Sequence, residues 1–202
     1  MVKKFIIYFS IIFIVVFLIL NSRFVSAQIK FAFSNNSETL NSQKEEVQLI
    51  KTKLPIAQSN QFLLKIPAIG VEAPIVLEKR VDQDSIFKSL EKGVVHFVDS
   101  PLPGQKGASI ILGHSSAYPW YKGNYGSVFA LLGKLKTDDL FYVENGDKVL
   151  TYQIKNSLIF NPLSDNSKID EFVKTDGSAI ILISCWPVGT NYQRIAVRAE
   201  LI

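Results

Sequence analysis

The chain is sparing with reactive side chains. Its 202 residues include one cysteine, Cys185, and two histidines, His96 and His114. A single cysteine cannot pair within its own chain, so no internal disulfide framework supports the fold. No internal repeat is visible either. An excess of one charge sign is missing from most of the chain. The net charge of +4 and pI near 9.0 would suit a nucleic-acid partner. However, residues 1–58 hold seven Lys/Arg against three Asp/Glu, and from residue 59 onward there are fifteen of each. No block of Lys/Arg interleaved with aromatics occurs there, so nothing supports a phosphate-tracking surface.

Long apolar runs are also scarce, with one exception. Lys3 and Lys4 precede "FIIYFSIIFIVVFLIL", sixteen residues without a charge. Such a run partitions into a bilayer, and the two lysines favour a cytoplasmic N-terminus with the remainder outside. The expectation for residues 1–27 is a membrane-spanning signal anchor. The "VSA" at 25–27 leaves open a cleaved signal peptide. In both cases the remainder of the chain is exported. A free thiol kept in an oxidising compartment points to a use for it, although a lone cysteine after "IILIS" also reads as a small buried hydrophobe.

Residues 28–58 are polar, with few aromatics and no sustained apolar face, and are expected to be a spacer. From residue 59 to 202 the texture changes to short β-rich runs broken by Gly, Pro and Asn. The runs are 62–70, 73–78, 93–98, 108–114, 140–144, 148–160, 179–185 and 194–202. "NGDK" at 145–148 reads as a hairpin turn, since Asn and Gly tolerate positive φ. Eight short strands predict a mostly-β domain, an antiparallel sandwich or a closed barrel. Two short helices are expected around 84–92 and 166–175.

Cysteine catalysis needs a thiolate, a proton donor for the leaving amine, and a group that holds the developing oxyanion. His114 ends the strand "ASIILGH", beside Gly113, which has no side chain to block access. His96, flanked by Val95 and Phe97, reads as a packing residue. In "RIAVRAELI" the alternation places Arg194 and Arg198 on one face. If 179–185 and 194–202 form an antiparallel hairpin, Cys185 and Arg194 are cross-strand neighbours. The bland alternative makes both arginines the solvated side of an amphipathic strand.

These residues carry a family resemblance. "ILGH" ending at His114, "ILISC" ending at Cys185, "WPVG" in the following loop and "RIAVRAEL" from Arg194 resemble the sortases, cell-surface cysteine transpeptidases. "LLKIPAIGVEAPIV" is similar to the first strands of that family, and "GVVHFVDSPLPGQKGASIILGH" to its Gly-x-x-His…Pro-Gly…Gly-His segment. The resemblance covers residues 62–202 and leans to classes D and E. Departures are Ser184 where the family often has Thr, Ala108 for Asn, Ser115 for Arg, and an aromatic-rich segment at 115–135.

The resemblance implies an eight-stranded β-barrel behind a membrane helix, at the cell membrane, with the catalytic domain outside. It implies that Cys185 attacks a Leu-Pro-x-Thr-Gly-like sorting motif of an exported protein and forms a thioester. His114 would protonate the leaving amine and Arg194 would steady the oxyanion. An amine from the cell wall or a pilin-like subunit would then accept the acyl group, with no cofactor. Substrate selection is expected from 156–178 and the loop 186–193, with Ser184, Ile159, Phe160, Leu163, Ile169 and Trp186 as candidate contacts. Those apolar residues read equally as core beneath a long loop. Asp165, Asp170, Glu171 and Asp176 lack the spacing of a calcium loop, so no metal is expected. Two other readings stay open: an exported cysteine peptidase releasing to water, and a membrane-tethered binding module with an inert cysteine.

Overall fold

The computed structural model describes residues 2–20, 25, 28–29, 62–118 and 120–202. The polar spacer at 28–58 and the "VSA" at 25–27 therefore lie outside the described residues, apart from positions 25, 28 and 29. Helix α1 spans Val2–Leu20. Its apolar part begins after Lys4, and sixteen residues at 1.5 Å each rise about 24 Å, short of a hydrocarbon core of ~30 Å. Among the described residues no helix is long and apolar enough to cross a membrane. The expected membrane helix is thus present here as a helix only.

The eight expected strands form, and they close into a barrel in the order β1-β2-β3-β4-β7-β8-β6-β5. Their ranges are β1 Phe62–Ile66, β2 Val71–Leu77, β3 Val94–His96, β4 Gly107–Leu112, β5 Leu140–Asn145, β6 Lys148–Phe160, β7 Ser178–Trp186 and β8 Gln193–Leu201. The run 62–70 ends early as a strand because Pro67 opens a 3-10 turn that Gly70 closes at φ 63. The β5–β6 hairpin has the two-residue loop Gly146-Asp147, with the positive φ at Gly146 alone. Helix α2, Gln83–Leu90, starts at Asp82, whose side chain accepts from the Ser85 N–H. Helix α3, Asn166–Phe172, lies between β6 and β7.

Two strand pairs are parallel, β2/β3 and β4/β7, and of the two expected alternatives the closed barrel forms rather than the antiparallel sandwich. Parallel partners need a crossover. Helix α2 supplies it for the first pair, and everything from residue 113 to 177 supplies it for the second. The β4/β7 pairing matters most, because it brings the C-terminal ends of both strands to one end of the barrel.

The main core fills the barrel interior, and among the described residues it draws on positions between Phe62 and Ala199. A second cluster lies outside the wall, where Phe160, Ile181 and Ala196 pack against Ile169, Phe172 and Val173 of the α3 segment. Strand β7 is therefore covered on both faces, and Ile180, Ile181 and Leu182 are fully buried. That explains its unbroken apolar run, which a half-exposed strand would not show.

Candidate active site

The site is built by register. Strands β4 and β7 pair through Leu112↔Ile183. Beyond the end of β4, the Gly113 N–H donates to the Ile183 carbonyl at 3.1 Å and the Ser184 hydroxyl donates to the Gly113 carbonyl at 2.8 Å. Continuing that register places His114 alongside Cys185. On its other side Cys185 pairs directly with Arg194 of β8, and Arg194 pairs with Phe160 of β6. Neighbouring strands lie about 4.8 Å apart, so His114, Cys185, Arg194 and Phe160 form one row across the barrel wall.

Alternation fixes which way the row faces. Ile180 and Leu182 of β7 and Ile195 and Val197 of β8 point into the barrel core. Cys185 and Arg194 have the opposite parity and share the outer face with Ile181 and Ala196. One step down the strands, that face carries Leu112, Ile183, Ala196 and Leu158 in register. These residues make an apolar floor beneath the reactive row.

Gly113 is required by packing. A Cβ there would collide with the ring of Phe129, whose N–H donates to the His114 carbonyl at 2.9 Å. Access to His114, the sequence reason for a glycine, is secondary to this close approach. The His114 ring lies parallel to Phe87 of α2, with centroids 6.2 Å apart, and meets Tyr121 edge-on at 5.3 Å. The Tyr121 hydroxyl donates to the Leu90 carbonyl at 2.7 Å, which ties the bracket to the end of α2. Burial among these rings pushes the His114 pKa below its ordinary 6.5, so the imidazole is neutral at pH 7. Cys185 is a half-buried free thiol. Arg194 donates through Nη1 to the Asn191 carbonyl at 3.0 Å and the Gln193 carbonyl at 2.9 Å. Among the described residues its Nε and Nη2 donors make no hydrogen bond, which leaves them for a substrate oxygen.

A half-buried thiol thus stands between a neutral imidazole and a guanidinium on the outer wall of an eight-stranded barrel. Residues 64–202 fit the family model of the sortase domain. This chain belongs to the sortase family. Over 125 residues it is 30% identical to Sortase D of Bacillus subtilis (strain 168), a match covering 62% of this chain and 54% of that protein. The chain thus spans about half the length of that relative. Among solved structures it is similar to a pilus-related Sortase C of Group B Streptococcus, at 25% identity and TM-score 0.57, covering 75% and 76% of the two chains. It also shares the fold of sortase C-1 from Actinomyces oris, at 22% identity and TM-score 0.58, covering 89% and 98%.

The other expected site residues are scattered. Ser184 faces the barrel interior, and its hydroxyl serves the Gly113 carbonyl, so it clips β7 to the end of β4. Trp186 packs against the main core, with its ring edge over Gly133. Phe160 is buried in the outer cluster and Ile169 packs against it. Ile159 is exposed, and Leu163 lies free of both clusters. His96 is buried, and its Nε2 lies 2.9 Å from the Pro101 carbonyl, a structural role in this sortase. Among the described residues no cluster of His, Cys, Asp and Glu could hold a metal ion.

Arg198 departs from the reading of a solvated strand face. It lies on the outer face, two residues beyond Ala196, yet its side chain is only 16% exposed. Its Nη1 donates to the Phe172 carbonyl at 3.0 Å and the Lys174 carbonyl at 2.8 Å, closing the C-terminal end of α3 against the barrel. Sequence reasoning also missed Phe87 and Tyr121. Their one hint was the unusual aromatic content around Tyr121.

Proposed function

We propose that this sortase is a membrane-anchored cysteine transpeptidase of class D/E type that cleaves an LPxTG-like sorting motif and transfers the acyl fragment to an amine. The observation that carries the reading is the row His114–Cys185–Arg194, set by two strand registers on the open face of the barrel. In the first half-reaction the Cys185 Sγ attacks the scissile carbonyl carbon while its proton passes to the His114 ring. The C–N bond then breaks, His114 gives that proton to the departing amine, and a thioester remains. Arg194 directs its unused N–H donors at the carbonyl oxygen as negative charge develops there. In the second half the acceptor amine attacks the thioester, His114 takes the amine proton, and the Cys185 thiol is regenerated.

The apolar floor of Leu112, Ile183, Ala196 and Leu158 suits the Leu-Pro part of the motif. Ala196 is the small residue that leaves depth, and Phe160 and Ile169 support the wall beside it. The substrates are exported proteins bearing the motif, and the acceptor is a cell-wall or pilin-subunit amine. Helix α1 serves as the anchor, with the N-terminus cytoplasmic and the barrel outside, and its shortfall in length is met by local thinning of the bilayer.

The test is product analysis with an LPxTG-type peptide, with and without an added amine. The proposal expects a transfer product that displaces the hydrolysis product as the amine is raised. Hydrolysis unaffected by any amine would favour a peptidase instead.

A further inference from the structure

Within residues 62–202 the four most exposed large hydrophobic side chains are Leu163 at 90%, Trp120 at 75%, Tyr192 at 74% and Tyr118 at 71%. They come from three different loops. Tyr118 and Trp120 follow β4, Leu163 follows β6, and Tyr192 follows β7. The registers Leu112↔Ile183, Cys185↔Arg194 and Phe160↔Arg194 bring the ends of β4, β7 and β6 together, so all three loops surround the same end of the barrel. Chance does not readily concentrate the most exposed apolar groups at one pole, since single exposed hydrophobics are normally scattered.

Tyr118 and Trp120 stack on one another at 4.8 Å with ring planes 1° apart. A turn in which the Tyr121 N–H donates to the Tyr118 carbonyl presents the pair outward while Tyr121 points back to His114. The loops are also nearly free of charge. Residues 115–131 contain only Lys122, which is exposed, and residues 187–192 contain none. In 161–165 the one charge, Asp165, is paired with Lys168 at 3.0 Å.

We propose that this rim docks on a lipid bilayer surface and holds the reactive end of the barrel against the membrane. Tyr and Trp combine an apolar ring with a polar edge, which suits the boundary between headgroups and acyl chains. Lys122, beside the stacked pair in the chain, suits anionic headgroups. The chain geometry permits this orientation. Phe62 opens the domain at the far end, where it pairs with Asn145 beside the β5–β6 turn. The residues 21–61 that join it to α1 reach up to ~140 Å when extended. Strand β6, thirteen residues long, measures only about 43 Å. The tether can therefore run from the bilayer to the far pole while the rim faces the lipid. Docking adds a second membrane contact to the proposed anchor and does not depend on the chemistry at Cys185.

The test uses residues 59–202, which contain every described residue of the barrel core, in flotation with vesicles of equimolar phosphatidylcholine and phosphatidylglycerol. The domain should float with the vesicles. The double variant Tyr118→Ser/Trp120→Ser should lose at least tenfold in vesicle affinity, with the rate of Cys185 alkylation unchanged in the absence of lipid. Failure of the unmodified domain to float, or equal flotation of the variant, overturns the proposal. Equal flotation with slower acylation by a soluble peptide also overturns it and assigns the aromatic pair to the peptide. Loss of peptide chemistry with vesicle binding intact would count against the transpeptidase reading and leave docking standing.

Discussion

Cys185 owes its setting to its neighbours on both sides. Arg194 is held in place by the Asn191 and Gln193 carbonyls, which fixes the direction of its remaining donors. Arg194→Ala should lower kcat/KM by 10²–10³-fold, the usual cost of one oxyanion donor, with Tm unchanged. Arg194→Lys should recover little, because a point charge does not reproduce the planar fork. Steady-state kinetics beside thermal melts check both. Gly113→Ala should cost about 1–3 kcal/mol through overpacking against Phe129, read by denaturant unfolding. His114 gives a signed pH effect. Its folded pKa lies below 6.5, so the unfolded chain takes up the proton first as pH falls. Stability therefore drops as pH falls below about 6.5, until the folded pKa is also passed. His114→Gln should flatten that part of the stability–pH curve, as unfolding titrations at several pH values would show. The strand-end positions of Cys185, His114 and Arg194 were legible, because each is rare or stands at a strand boundary. The aromatic bracket was not, since Phe87 and His114 are joined by packing that no local pattern encodes.

Strand β7 shows why elements were easier to read than their partners. Its apolar run and the turn residues around it mark a strand, but the same run fits a parallel or an antiparallel neighbour. The β4/β7 pairing was therefore invisible in the sequence, though it is what lines His114 up with Cys185. The hairpin of β7 and β8 was legible, because a short loop leaves few alternatives. The solvated-face alternative fails at Arg198 for a related reason. Alternation gives the face of a strand correctly, but it cannot tell whether a helix later covers that face. Here α3 does. Arg198→Met keeps much of the side-chain length and loses the two bonds to the Phe172 and Lys174 carbonyls together with the ion pair to Glu200. It should destabilise by about 1–3 kcal/mol. If α3 walls the peptide floor, KM should rise more than kcat falls, which peptide titrations would separate.

At the scale of the whole molecule, one pole of the barrel holds the reactive row, the apolar floor and the most exposed aromatics, while the chain enters at the other pole. The charge balance from residue 59 onward is neutral, so the proposed docking rests on local contacts at that pole rather than on net charge. Removal of α1 should leave kcat/KM on a soluble peptide unchanged and reduce turnover of a membrane-held substrate at least tenfold, as paired assays on peptide and proteoliposomes would measure. The central claim is that Cys185 forms a thioester with a sorting peptide. Its most direct test is intact-mass spectrometry of residues 59–202 after incubation with Leu-Pro-x-Thr-Gly-like peptides. The account predicts a mass gain equal to the peptide minus its leaving fragment, present in the unmodified domain and absent in Cys185→Ala. No adduct with any peptide, together with a Cys185 inert to alkylation in the folded state, would contradict it.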